Sequence, residues 1–276
     1  MLVVKAIAGL GALALAGLSV QTAQDPNRPT PRFDTKPPTL PPLKRPAVLI
    51  FSKTNGWRHD SIPDAVAAIE KLVMTRAWRS YATANAAIFN PEQLAQFDLI
   101  IFASATGDMF TPEQKAAFEG WIASGRGFVG LHGAGDNSHP GWYQAMLGYS
   151  DYAGHPGGAD QFQTGELIVE DRKHPATRHL PPRWRWTEEY YAYASPLAAD
   201  AHVLARLDET GMRFEPKQQM GDRHSLIWWR CEGRTRIFYS ALGHRPEAWS
   251  DATHLKLVDG AMRWAMRRDG AGCDGK

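Results

Sequence analysis

The sequence has only two cysteines among its 276 residues. Cys231 falls in an expected strand and Cys273 in a Gly-rich tail. Neither stands at a strand end followed by a tight turn, so a thiol nucleophile is not expected. An exported protein could join the two, but the tail reads as loose and the pairing stays open. Charge of one sign is also missing. Thirty-one Lys and Arg face 29 Asp and Glu, a net charge of +2, which gives no electrostatic case for nucleic acid or for an anionic membrane. No apolar run reaches spanning length, since the most apolar one, 6–20, is about 15 residues against the ~20 that a bilayer needs. The Gly-x4-Gly-Lys-Ser/Thr spacing of a phosphate loop and the His-Glu-x-x-His spacing of a helix-borne zinc site are both absent. No internal repeat is visible.

What is present begins with a leader. Met1 to Ala23 reads as a secretory signal peptide, with Lys5 as its charged start and an apolar centre. The mature chain is therefore expected to be exported, periplasmic or secreted, with no stable membrane span after cleavage. Residues 24–46 hold eight prolines and read as an extended polyproline spacer outside the fold. Residues 47–267 form the expected domain, and 268–276 a flexible tail. The domain is long enough for one α/β unit with a large core.

Ala47–Phe51 and Leu99–Phe102 are continuous apolar runs, the pattern of strands covered on both faces. Between them a helix starts near Ser61, with Pro63 in its first turn and Val66, Ile69 and Leu72 on one face. Asn90 caps a short helix. Thr111-Pro-Glu-Gln is a capping box for a helix ending near Ser124, and strand Gly127–Leu131 follows. This β-α-β alternation predicts an open, mostly parallel sheet with helices on both faces. The second half is β-rich, with strands expected at Glu166–Val169, Trp184–Tyr193, His202–Leu207, Ser225–Cys231 and Arg236–Ser240, then a helix over 252–266.

Ligands in open α/β sheets bind beyond the carboxyl ends of the strands. Three histidines stand there: His59 after the first strand, His132 after Gly127–Leu131, and His244 after the last strand. Sheet geometry brings such ends together, so the three rings are expected to line one cleft. The small residues after His132 would let backbone amides approach a ligand. The polar turn 52–61 carries Trp57, Arg58 and Asp60 and ends at a helix start, where amides often hold phosphate or hydroxyl groups; the plainer reading of Arg58 and Asp60 is a local ion pair. Asp108 follows another strand end. His155 stands in a long Gly-flanked loop. Glu188 and Glu189 sit among aromatics, and alternation along a strand lets only one of them face a cleft.

Seven stretches together resemble the trehalose-utilisation, ThuA-like family: 48–61 (VLIFSKTNGWRHDS), 106–108 (TGD), 127–132 (GFVGLH), 154–156 (GHP), 169–177 (VEDRKHPAT), 187–191 (TEEYY) and 238–244 (FYSALGH). They run in order across 47–267. The resemblance implies a fold similar to class I glutamine amidotransferases, a flavodoxin-like three-layer arrangement. Those enzymes carry a cysteine nucleophile at the turn where this chain has His132, so glutaminase chemistry is not expected. The resemblance also implies a sugar-processing role on trehalose, related disaccharides or their 3-keto derivatives. Carried over by position, the family's polar residues are Arg58, His59, Asp60, His132, Asp136, His155, Glu189 and His244. Departures at Gly148-Tyr149, Ser225 and Tyr190 bear on substrate detail.

A 3-keto sugar has an acidic proton beside its carbonyl, and removing it needs a base with a pKa near neutrality, which suits histidine. His132 or His59 is the expected base, with Glu189 as acid or orienter, Asp136 and His244 completing the catalytic set, and Arg58 or a metal on the enolate oxygen. Trp57, Arg58, Asp60, Asp108, His155, Trp228 and Trp249 are the expected substrate contacts. The cofactor is open, a divalent metal included, and so is assembly as a homo-oligomer. Two other readings stand beside this one. One is a non-catalytic sugar-binding module with Trp57, Trp142, Trp186 and Trp249 as stacking platforms. The other is a divergent amidohydrolase using a metal-bound water.

Overall fold

The computed structural model describes residues 25–273. The expected leader, Met1 to Ala23, lies outside them. Five strands run parallel: β1 (Ala47–Phe51), β2 (Arg79–Thr83), β3 (Leu99–Ala103), β4 (Gly127–Leu131) and, much later in the chain, β11 (Thr235–Ser240). The second half adds β6 (Gln163–Val169), β7 (Arg183–Glu188), β9 (His202–Asp208) and β10 (Ser225–Glu232), all paired antiparallel. Together they form a nine-stranded sheet in the order β2-β1-β3-β4-β11-β10-β9-β6-β7. This is the expected mixed sheet with a parallel core and β-rich additions.

The continuous apolar strands are buried on both faces, as their composition requires. Phe102 and Phe128 turn to one face and meet Phe118 and Tyr143, carried by α3 (Pro112–Ala123) and α4 (Gly141–Leu147). On the other face, α5 (Ala252–Ala265) comes so close to β4 that a Cβ at Gly127 would lie 2.5 Å from the Ala265 carbonyl. Helix α1 (Ile62–Thr75) touches α5 and packs on β1 and β3. A short α2 (Pro91–Leu94) and the α3 capping box match the sequence signals. Strand β2 and helix α4 carried none strong enough to read: β2 (RSYAT) is a polar edge strand, and α4 spans only seven residues.

Three expectations are corrected. The expected strand 184–193 breaks at Glu188, and Ala192–Tyr193 (β8) leaves the main sheet to pair with Tyr152–Gly154 (β5). The proline-rich stretch is not a spacer free of the fold. Leu40 and Leu43 pack against the core. Prolines lack N–H groups and so leave their extended segment rich in unpaired acceptors; Gln114, Asn85 and Gln93 donate side-chain amides to the carbonyls of Asp34, Lys36 and Pro38. The tail is pinned as well. Cys273 forms a disulfide with Cys231, and Arg236 and Trp264 donate to the carbonyls of Gly270, Ala271 and Gly272.

Candidate functional site

Strand β1 lies between β2 and β3, so the chain leaves it in opposite directions and opens a crevice at the carboxyl ends of β1 and β3. A cleft of about 550 Å³ lies there, lined in part by Trp57, His59, Asp136, His155, Glu189 and His244. Its volume falls in the range of small-molecule sites, roughly 300–1,000 Å³.

Its floor is built from three strand ends. Strand β4 stops at Leu131, and His132 takes a left-handed backbone, φ 45°, a conformation rare outside glycine and often found at functional turns. The His132 ring is sealed from solvent. Its Nδ1 lies 2.9 Å from the Ala241 carbonyl and its Nε2 2.9 Å from His244 Nδ1. The Glu188 carboxylate accepts from the amides of Gly243 and His244 and fixes that turn. Just past the end of β7, Glu189 places Oε2 2.9 Å from His244 Nδ1 and 3.5 Å from His132 Nε2. Its Oε1 lies 3.2 Å from His155 Nδ1 and accepts from Gln161 at 2.7 Å. Of the two glutamates, one therefore lines the cleft and the other supports the turn beneath it.

The three expected histidines converge: ring centroids are 4.6 Å apart for His59–His132, 5.0 Å for His59–His244 and 4.9 Å for His132–His244. The small residues after His132 serve this convergence and not a ligand's approach. A Cβ at Gly133 would lie 2.7 Å from the His59 ring, and one at Gly135 would enter the Tyr239 ring. Tyr191, which the sequence did not single out, sets its hydroxyl 3.1 Å from His132 Nε2 and 3.4 Å from His59 Nε2. Its neighbour in the TEEYY stretch was the available signal.

Environment separates the rings. Burial, then the neighbouring histidines, hold His59 well below the usual imidazole range. At His132 burial works the same way, but the hydrogen bond to Glu189 and the charges of Glu188 and Glu189 outweigh it and raise the pKa. Burial pushes the Glu189 carboxyl up, and its contacts with His132 and His244 more than reverse that, holding it well below the carboxylate range.

Several expected contacts lie elsewhere. Arg58 and Asp60 form the local ion pair, 3.6 Å apart and exposed, outside the cleft lining. Three amides of turn 52–61 are taken up within the fold: Asn55 and Gly56 donate to the Thr106 carbonyl, and Arg58 to that of Asn27. Asp108 borders a separate groove beside Phe110 and Trp142. Trp228 is a core residue whose indole donates to Leu147, and buried Trp249 donates to Gly243. Trp186 stacks on His254. Of the expected tryptophan platforms only Trp57 lines the cleft. Asp136 is there too, with Oδ1 taken by Ser138. His132 is the floor beneath the cleft and not a cleft-facing base.

The family model described as "Trehalose utilisation", ThuA, matches residues 47–265. The chain belongs to the ThuA family. Solved relatives agree with its fold. A ThuA-like protein from Bacteroides uniformis is 22% identical, with a TM-score of 0.66 over 84% of this chain and 95% of its own. Another, from Parabacteroides merdae, is 17% identical, with a TM-score of 0.58 over 81% and 90%. The PurLQS structure from Thermotoga maritima is 12% identical, with a TM-score of 0.50 over 80% and 99%. At these identities the likeness is one of fold, ThuA-like and glutamine-amidotransferase-like, with antiparallel strands added in the C-terminal half. No curated protein matches the sequence. Among the described residues no helix is long and apolar enough to cross a membrane.

Proposed function

We propose that this ThuA-family protein is an exported enzyme that moves a proton on the 3-keto derivative of a disaccharide of the trehalose type. The observation that carries the reading is the cluster of Glu189 with His132, His155 and His244 at the foot of a cleft that also presents the Trp57 ring. The base is His155 in place of the sealed His132. It is partly exposed, and its Nδ1 lies 2.9 Å from the Pro156 carbonyl and 3.2 Å from Glu189. A proton on Nδ1 leaves Nε2 as the acceptor. In the step proposed, the C–H bond beside the sugar carbonyl breaks, its electron pair forms the enolate, and the proton goes to Nε2. Trp57 offers the apolar face of the ring-binding site.

The disulfide supports export, because such bonds persist in oxidising compartments. A binder with several stacking tryptophans is less well supported, since Trp142, Trp186 and Trp249 lie outside the cleft lining. The test is to incubate purified protein with trehalose, its 3-keto form and related 3-keto disaccharides and to follow the products. Turnover lost in His155→Ala supports the reading. Sugar binding without turnover in the unaltered protein overturns it in favour of a binding module.

A further inference from the structure

We infer that His59, His132, His244 and Glu189 hold one divalent first-row transition-metal ion. This deepens the proposed function and rests on it for the ion's role, which is to hold the enolate oxygen at the foot of the cleft. The ion site itself stands on geometry. One donor atom from each of the four residues lies within 4.8 Å of the other three. His59, His132 and Glu189 are buried, while His244 faces the cleft. The four come from separate parts of the chain, each fixed by its own backbone: the turn after β1, the end of β4, the residue past β7 and the turn after β11.

Hydrogen bonding alone satisfies this arrangement poorly. His244 Nδ1 lies 2.9 Å from both His132 Nε2 and Glu189 Oε2. A ring nitrogen carries either one proton or one lone pair, so it serves one of those neighbours well and the other badly. The Tyr191 hydroxyl can donate to His132 Nε2 and accept from a protonated His59 Nε2, which leaves a lone pair on His59 Nδ1. His59 Nδ1 is buried with no hydrogen-bond partner. An ion at the centre gives the converging lone pairs a common partner. The second shell has the form such sites take: the His132 Nδ1–H donates to the Ala241 carbonyl, which leaves Nε2 as a ligand.

The donor set names the class. Three imidazoles and one carboxylate suit zinc and its neighbours, whereas magnesium and calcium prefer oxygen shells. His244 and Glu189 line the cleft, so a sugar carbonyl or hydroxyl oxygen entering it can reach the ion and be polarised there.

The test uses the full exported chain with its disulfide intact, stripped with chelator and titrated with Zn²⁺ by calorimetry. A parallel sample takes Co²⁺, read by its visible d–d absorption. One equivalent per chain is expected, together with cobalt bands of a nitrogen- and oxygen-ligated site. His59→Ala and Glu189→Gln should each weaken Zn²⁺ by at least the roughly 10- to 100-fold that even outer partners of a metal command. Melting curves identify variants that fail to fold, and in that case the cobalt spectrum of the unaltered protein decides. Failure to bind stoichiometrically, or affinity unchanged in both folded variants, overturns the site. Sugar turnover that persists in chelator-stripped protein without such binding removes the ion and keeps the enzyme. Stoichiometric binding without sugar turnover keeps the ion and removes the sugar.

Discussion

Two groups of histidines in this chain sit in opposite surroundings. At the foot of the cleft, His132 and His244 gather around the carboxylate of Glu189. On the α5 side of the sheet, His254 is stacked on Trp186 and edge-on to Trp249, with neither ring nitrogen bonded. His174 packs against Trp264 with Nε2 unpartnered. Burial lowers both of these to about 4. The same burial acts on His132, yet its pKa rises because a carboxylate is in reach. Burial by itself therefore says little about function; the charged partner does.

The largest expected effect tests that partner. Glu189→Ala takes the shared carboxylate from three imidazoles. Turnover should fall by about 10³-fold or more, within the range of a positioned acid–base group, and stability by roughly 3–5 kcal/mol for a broken buried pair. A sugar assay with urea unfolding reads both, and turnover within a few fold of the unaltered protein would erase the distinction between the two groups. His155→Ala comes next. It should cost about 100-fold in turnover and leave the melting temperature nearly unchanged, because this ring is partly exposed.

The dry group should answer to pH instead. His254 titrates near 4 folded and near 6.5 unfolded. Between those values the unfolded chain binds the extra proton, so stability falls as the pH drops from about 6.5 to about 4, by roughly 3 kcal/mol. His254→Phe keeps the aromatic stacking and should remove the His254 share of that limb, leaving the share of His174, without changing turnover. Melting curves across the window, run beside the sugar assay, check it; an unaltered slope would mean that the ring finds a proton partner in the fold. The smallest effect belongs to the cleft wall. Trp57→Ala should raise KM about tenfold, near 1.4 kcal/mol, at constant kcat, as expected for binding energy shared by ground and transition states. A fall in kcat alone would place Trp57 in the chemistry.

Local pattern determined much of this protein. The apolar runs of β1, β3 and β4, the Thr111 capping box and the prolines opening α1 and α2 each carry their structure within a few residues. The convergence of His59, His132 and His244 was legible for a different reason: parallel strands deliver their carboxyl ends to one edge, and the turns that leave β1 and β11 carry His59 and His244 to the His132 ring there. Burial and partners were not legible. Trp228 and Trp249 look like Trp57 in the sequence, but only packing sends the first two into the core and the third to the cleft. His132 sank below the surface where its strand end suggested exposure, while Arg58 turned to Asp60 as the plainer reading of that turn had it. The prolines of 25–46 and the glycines of the tail looked detached, because their contacts depend on donors from distant parts of the chain. Periodicity and capping act through near neighbours and are written in sequence order. That His132 and His244 meet the Glu189 carboxylate is decided across more than fifty residues of separation, where only the closed sheet brings the partners together.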